Sequence, residues 1–172
     1  VKNLVQQKRK KSIAMNHYHF YESYQANKSG SYYDDEAMLY AFGVSYEDNW
    51  YRGVLGWGYN LGLAQGVAVA GTSGNSRYYQ TRVPFQVLSA GGRFFRRLNA
   101  FFEVGPSVVV QYKNMSWPED SGYQVQAPQN PTLGVYIEFR SRINQQYDLF
   151  QKVGVLGKSK VAAWNLGFSY NW

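Results

Sequence analysis

The sequence predicts an all-β protein, an eight-stranded antiparallel up-and-down transmembrane β-barrel, and three observations predict it. Eight segments alternate large apolar residues with small or polar ones at the period of a strand. The connections between them alternate in length, as a meander that closes on itself requires. Of the 172 residues 45% are hydrophobic and 18% aromatic, with 16 Tyr and 17 Gly, yet only 17% are charged. Soluble domains carry roughly 25% charged residues, and Tyr with Gly suits crowded β structure.

The segments follow in order. From His17 to Gln25, Tyr18, Phe20 and Tyr24 share a face. From Met38 to Tyr46, Met38, Tyr40, Phe42, Val44 and Tyr46 oppose Leu39, Ala41, Gly43 and Ser45. From Tyr51 to Leu63, Leu55, Trp57, Tyr59, Leu61 and Leu63 oppose Arg52, Gly56, Gly58, Asn60 and Gly62. Tyr79, Val83, Phe85 and Val87 then oppose Gln80, Arg82 and Gln86. Phe102, Val104, Val108, Val110 and Tyr112 oppose Glu103, Gly105, Ser107 and Gln111. Leu133, Val135, Ile137 and Phe139 oppose Gly134, Glu138 and Arg140. In Tyr147 to Val155, Leu149, Val153 and Val155 oppose Asp148, Lys152 and Gly154. The chain closes on Leu166, Phe168, Tyr170 and Trp172 against Asn165, Gly167, Ser169 and Asn171.

Long connections are expected at 26–37, 64–77 and 113–131, and short ones at 47–50, 95–98, 144–146 and 157–160. Pro84 and Pro106 each remove a ladder donor, so a bulge or strand end is expected near each. Alternation alone does not say which face is wet. The apolar face carries too much volume for a small eight-stranded interior, and the other face is rich in Gly, Ser, Asn and Ala. Small residues belong where opposite walls approach, so the polar face is expected inside and the apolar face against lipid. Aromatic girdles are expected at Tyr46, Tyr51, Phe102, Tyr147, Tyr170 and Trp172 near the short turns, and at Tyr24, Tyr40, Tyr79, Tyr112 and Trp164 near the long loops.

No apolar run approaches the ~18–20 residues of a membrane-spanning helix. There is no cysteine, which excludes disulfides and thiolate metal sites. Val1 is not followed by a charged and then apolar leader, so any export signal is expected to have been removed or never present. The net charge of +7 invites a nucleic-acid reading, but apart from Lys8–Lys11 the cations are scattered singly. No nucleic-acid partner is expected, and that run reads as a solvated tail.

The chain resembles the small outer-membrane β-barrels of Gram-negative bacteria, the OmpA-transmembrane/OmpX type, over about residues 16–172. The most specific match is terminal: Asn165, Gly167, Tyr170 and Trp172 fit the polar-x-Gly-x-x-aromatic-x-aromatic ending that the barrel-assembly machinery recognises. The resemblance implies an outer-membrane monomer with both termini and the short turns in the periplasm. Residues 1–12 then form a basic periplasmic segment and 13–172 the barrel.

Inside, Arg52, Arg82, Arg140 and Lys152 are expected to pair with Glu103, Glu138 and Asp148, because unpaired charges in a narrow lumen are costly. This predicts a salt-bridge plug and a non-enzymatic structural or surface-interaction role. The alternatives are a narrow or gated channel and a lipid A-modifying enzyme.

His17 and His19 are expected to face the lumen as hydrogen-bonding groups, since a two-His site lacks a third metal ligand. Lipid A deacylase barrels carry His and Ser two apart on the lipid face. Here His17 is followed two on by His19, and His19 by Tyr21, which removes the nucleophile. Lipid A palmitoyltransferase barrels place His, Asp and Ser at the outer rim, a role open to Asp34, Asp35 and Ser121. No cofactor or metal is expected. Glu22 falls in register with the outward set, which places it above the lipid or calls for a bulge. The loop 113–131 reads as a surface excursion, or as a lid or partner contact made by Trp117 and Tyr123. Lys28, Arg77, Lys113, Lys158 and Lys160 at the loop bases suit lipopolysaccharide phosphates, with outer-membrane lipids around the wall.

Overall fold

Strand-period alternation becomes a single closed sheet in the computed structural model, which describes residues 8–28, 31–70, 82–116, 123–125, 130–157 and 161–172. The strands are β1 (Lys8–Lys28), β2 (Ser31–Arg52), β3 (Leu55–Ala70), β4 (Arg82–Arg97), β5 (Phe102–Met115), β6 (Tyr123–Val125), β7 (Thr132–Arg142), β8 (Tyr147–Leu156) and β9 (Val161–Asn171). Eight of them form an antiparallel up-and-down barrel, and β6 is a short addition to β1. The seam between first and last strands runs from Ser12↔Asn171 to Phe20↔Ala163. Closure satisfies the backbone donors and acceptors within the sheet, which a strand surrounded by hydrocarbon needs.

The outward wall is apolar from β1 to β9. Ile13, Met15, Phe42, Val44, Leu61, Leu63, Leu88, Val108, Val110, Leu133, Val135, Ile137, Val153 and Phe168 are all exposed on it. Tyr46, Tyr147, Tyr170 and Trp172 stack with one another or with neighbours near the short turns. Tyr40 and Tyr112 face outward nearer the loops. This is the surface of a barrel that spans a membrane with its strands. No helix among the described residues is long and apolar enough to cross one.

Several expectations need correction. Lys8–Lys11 are not a tail ahead of the barrel: they begin β1 and pair with Asp48–Tyr51 of β2. The supposed loop 26–37 is mostly ladder, because β1 and β2 stay paired out to Lys28↔Ser31. β9 leaves β1 at Phe20 and β3 leaves β2 at Ala37. Residues 23–28, at ~3.3 Å each, therefore carry the hairpin roughly 20 Å past the described ends of β3 and β9. The turn expected at 47–50 lies at Gly53–Val54, where Gly53 takes φ 63°. That shift moves Tyr51 and Arg52 onto the end of β2: Tyr51 turns inward and is buried, and Arg52 turns outward and is exposed. Tyr51 is therefore a lumen residue and not part of the girdle.

The two prolines behave differently. Pro84 sits near the loop end of β4, just before the ladder to β5 begins at Phe85↔Met115. At Pro106 there is no bulge. The β4–β5 ladder skips from Arg93↔Ser107 to Arg96↔Val104 in unchanged register, while Pro106 keeps its place opposite Ile137 on the other side.

Candidate functional site

The lumen has two layers of different chemistry. Near the short turns, inward positions of six strands bring acids and bases together: Lys10, Glu47, Arg93, Glu103, Glu138, Arg140, Asp148 and Lys152. Arg140 is the centre. Its Nη2 lies 2.8 Å from a Glu47 oxygen and 2.9 Å from Glu138, and its Nη1 lies 3.6 Å from Asp148. Its Nε donates to Glu138 at 3.0 Å, and its guanidinium lies over the Phe150 ring at 4.4 Å.

Glu138 is shared by three cations. Besides Arg140 it accepts from Arg93 Nη1, and Lys152 Nζ lies 3.4 Å from its other oxygen. Arg93 also donates from Nε to Asn49 Oδ1 at 2.8 Å, and its guanidinium lies 4.2 Å from the Phe95 ring centroid. At the rim, Arg97 and Arg142 reach Glu103 at 3.7 and 3.5 Å, and Lys10 donates to Asp148. Glu138 and Arg140 are each 3% exposed. Buried charges are tolerable only when paired and hydrogen-bonded in this way.

Glycine makes room for the aromatic rings that carry these cations. A Cβ on Gly167 would overlap the Phe150 ring, and one on Gly56 would overlap Phe95. In each case the neighbouring strand gives up its side chain so that a phenyl ring can lie against the wall beneath a guanidinium.

Above the charges the lumen turns apolar. Phe20, Leu39, Val83, Phe85, Val87, Met115, Tyr136 and Leu156 form one buried cluster with inward alanines of β2, β3 and β9. Phe20 and Phe85 meet edge to face at 6.2 Å, and Lys113 Nζ lies 5.6 Å from the Phe20 centroid. Between the layers Asn16, Ser45, Asn60, Gln111 and Asn165 line a cavity of ≈ 20 Å³. A space of that size holds about one water.

The predicted network is thus brought together in part. Glu138, Arg140, Asp148 and Lys152 meet, while Glu103 pairs with Arg93, Arg97 and Arg142 and with none of the four cations expected. Arg52 does not, because the turn at Gly53 places it outside. Arg82 does not either, because β4 is turned the other way from the sequence reading. Val83, Phe85 and Val87 point into the lumen, while Arg82 and Gln86 are exposed on the wall. Sequence reading missed Glu47, which had been placed in a turn, and Arg93, whose inward parity was readable only from the true phase of β4.

His17 and His19 face outward, contrary to expectation. His17 packs on Phe42 at 4.5 Å and edge-on to Trp164 at 6.1 Å, and His19 stacks on Tyr40 at 4.7 Å. Their cross-strand neighbours are Phe42 and Leu166, and Tyr40 and Trp164, so neither a serine nor a carboxylate stands beside them on that wall. Among the described residues no group of His, Cys, Asp and Glu is arranged to hold a metal ion.

In the terminal motif Asn165 and Gly167 face inward and Tyr170 and Trp172 outward. Trp172 exchanges backbone hydrogen bonds with Lys11. Lys113, expected at a lipid-facing loop base, is buried in the lumen. Trp117, Arg77, Lys158, Lys160 and Ser121 lie outside the described residues, as do the side chains of Glu22, Lys28, Asp34, Asp35 and Tyr123. The backbone of Tyr123–Val125 is described, and pairs with Ala26–Lys28 on the projecting hairpin.

No protein-family model and no curated protein matches the chain. Solved structures do. Ail, the attachment invasion locus protein of Yersinia pestis, aligns at 12% identity and TM-score 0.50, over 94% of this chain and 98% of its own. Neisserial surface protein A aligns at 10% identity and TM-score 0.44, over 97% and 99%. The KdgM porin aligns at 8% identity and TM-score 0.36, over 94% and 99%. At these identities the likeness is one of fold, that of small outer-membrane β-barrels.

Proposed function

We propose that this chain is a non-enzymatic outer-membrane β-barrel with a plugged lumen, serving a structural or surface-interaction role through its loop end. The observation that carries this reading is the filled interior. Among the described residues, the cavity between the charge cluster and the apolar cluster holds about one water, which supports no path for ions or solutes there. With the interior closed, the parts left to meet a partner are those beyond the wall, above all the β1–β2 hairpin with β6 on its edge. Lys8, where β1 begins, and Trp172 share an end with the short turns at 53–54, 98–101 and 143–146, and on this reading that end faces the periplasm and the hairpin lies outside the cell. The Asn165–Trp172 ending serves the assembly machinery, and the barrel works as a monomer.

The test is a set of three measurements. The chain should fractionate with the outer membrane. Unboiled protein should migrate differently from boiled protein on detergent gels. Planar bilayers should show no steady conductance. Recovery as a stable monomer in detergent-free buffer refutes the membrane reading, and steady single-channel currents refute the plug.

A further inference from the structure

The cations of the short-turn end divide into those that have an acid and those that do not. Arg9 has Asp48, its Nη2 2.6 Å from Oδ2, and Arg97 and Arg142 share Glu103. Arg52 and Arg96 are both exposed on the outward face. Among the described residues no carboxylate pairs with either.

Their setting is specific. Both are Cα partners of Leu55, one from each side, so Arg52, Leu55 and Arg96 form a row across β2, β3 and β4. With strands ~4.8 Å apart, the two arginine Cα atoms stand about 10 Å from each other. On the same wall Trp50, Trp57 and Phe94 lie two residues toward the bilayer, Val104 flanks Arg96, and exposed Leu98 follows it. Among the described residues the outward neighbours of both arginines are aromatic or aliphatic, apart from Arg9, whose guanidinium lies 5.3 Å over the Trp50 ring. Just beyond a band of girdle aromatics is the depth of lipid headgroups, where a long side chain keeps its charge solvated while its stem covers apolar surface.

We propose that this row binds an anionic phospholipid of the leaflet that meets the short turns. Its phosphate sits between Arg52 and Arg96, and an acyl chain lies over Leu55, Trp57 and Phe94. The chemistry fits on both counts. A guanidinium presents paired N–H donors matched to phosphate oxygens. The wall beside it offers flat aromatic and branched aliphatic surface to a hydrocarbon chain. Arg9, on the same wall, is excluded from the site by its bond to Asp48. The inference rests on the membrane-spanning reading of the barrel.

The test is native mass spectrometry of the full chain taken from bilayers of equal phosphatidylcholine and phosphatidylglycerol. The wild type should retain phosphatidylglycerol preferentially. Arg52→Gln and Arg96→Gln should each lower that preference about fivefold, the effect of one cation at an anionic surface. Lysine at both positions should keep most of it, and Arg82→Gln, at the opposite end of the wall, should leave it unchanged. An unchanged preference in the double glutamine variant overturns the proposal, as does an equal loss from Arg82→Gln, which marks diffuse charge and no site. If the double variant loses its heat-modifiable migration, the single and lysine variants decide by the same criteria. A chain that inserts without lipid preference overturns this inference alone, whereas one that never inserts overturns the membrane reading with it.

Discussion

Replacing Glu138 by Gln keeps the shape of the side chain and removes the one charge that Arg93, Arg140 and Lys152 share. The structure shows how unequally the loss is felt. Arg140 keeps Glu47 at 2.8 Å and Asp148 at 3.6 Å. Arg93 keeps Asn49 at 2.8 Å and a distant Glu103 at 3.8 Å. Lys152 keeps the Phe150 ring, 5.3 Å from its Nζ, and a longer-range attraction to Glu47. One ammonium is therefore left buried without a carboxylate in ion-pair contact, a change that costs roughly 3–5 kcal/mol. Lys152→Met added to Glu138→Gln removes the orphan, and replacing both partners of a buried pair is often close to neutral. The double variant should therefore be more stable than Glu138→Gln alone by about 2 kcal/mol or more, within the coupling range of contacting residues. The assay is denaturant unfolding of refolded protein in micelles, with folded fraction read from gel migration. Refutation is a Glu138→Gln shift below about 1 kcal/mol, as expected for a solvated surface carboxylate, or a double variant no better than the single one.

Three further outcomes follow from the same geometry. Phe85→Ala should destabilise by about 3–5 kcal/mol as a core truncation, while Phe42→Ala, 68% exposed on the wall, should cost clearly less in the same unfolding assay; equal effects would contradict the inward phase of β4. Gly167→Ala should cost about 1–3 kcal/mol by overpacking against Phe150, and Phe150→Leu should recover part of that loss when combined with it, as read from midpoint shifts. Deleting Trp172 should lower surface abundance in a Gram-negative host more than it lowers stability in micelles, because one girdle aromatic contributes only ~1–3 kcal/mol; wild-type surface levels would leave Trp172 an interfacial anchor and no assembly tag.

The sequence by itself determined the barrel. Alternation in β3, β5, β7, β8 and β9 sets large apolar side chains against Gly, Ser, Asn and charge, and only one assignment of inside and outside fits a narrow closed sheet. The same contrast marked Glu103, Glu138, Arg140, Asp148 and Lys152 as inward. Tertiary structure decided the phase wherever that contrast fails. In residues 17–21 of β1 both faces are aromatic or imidazole, and in the loop half of β4 Val83, Phe85 and Val87 alternate with Arg82, Pro84 and Gln86 just as they would on a wall facing lipid. A period of two survives exchange of its faces, so nothing local shows that this part of the lumen is filled with apolar side chains. Arg52 turned on the site of the Gly53 turn, which reassigns residues 51–52 to β2, and Arg93 on the phase of β4, where a shift of one residue exchanges the two faces. The β1–β2 projection was illegible for another reason. Its ladder is held by backbone hydrogen bonds, which any side chain can accompany, and it lies beyond the membrane that imposes alternation on the rest.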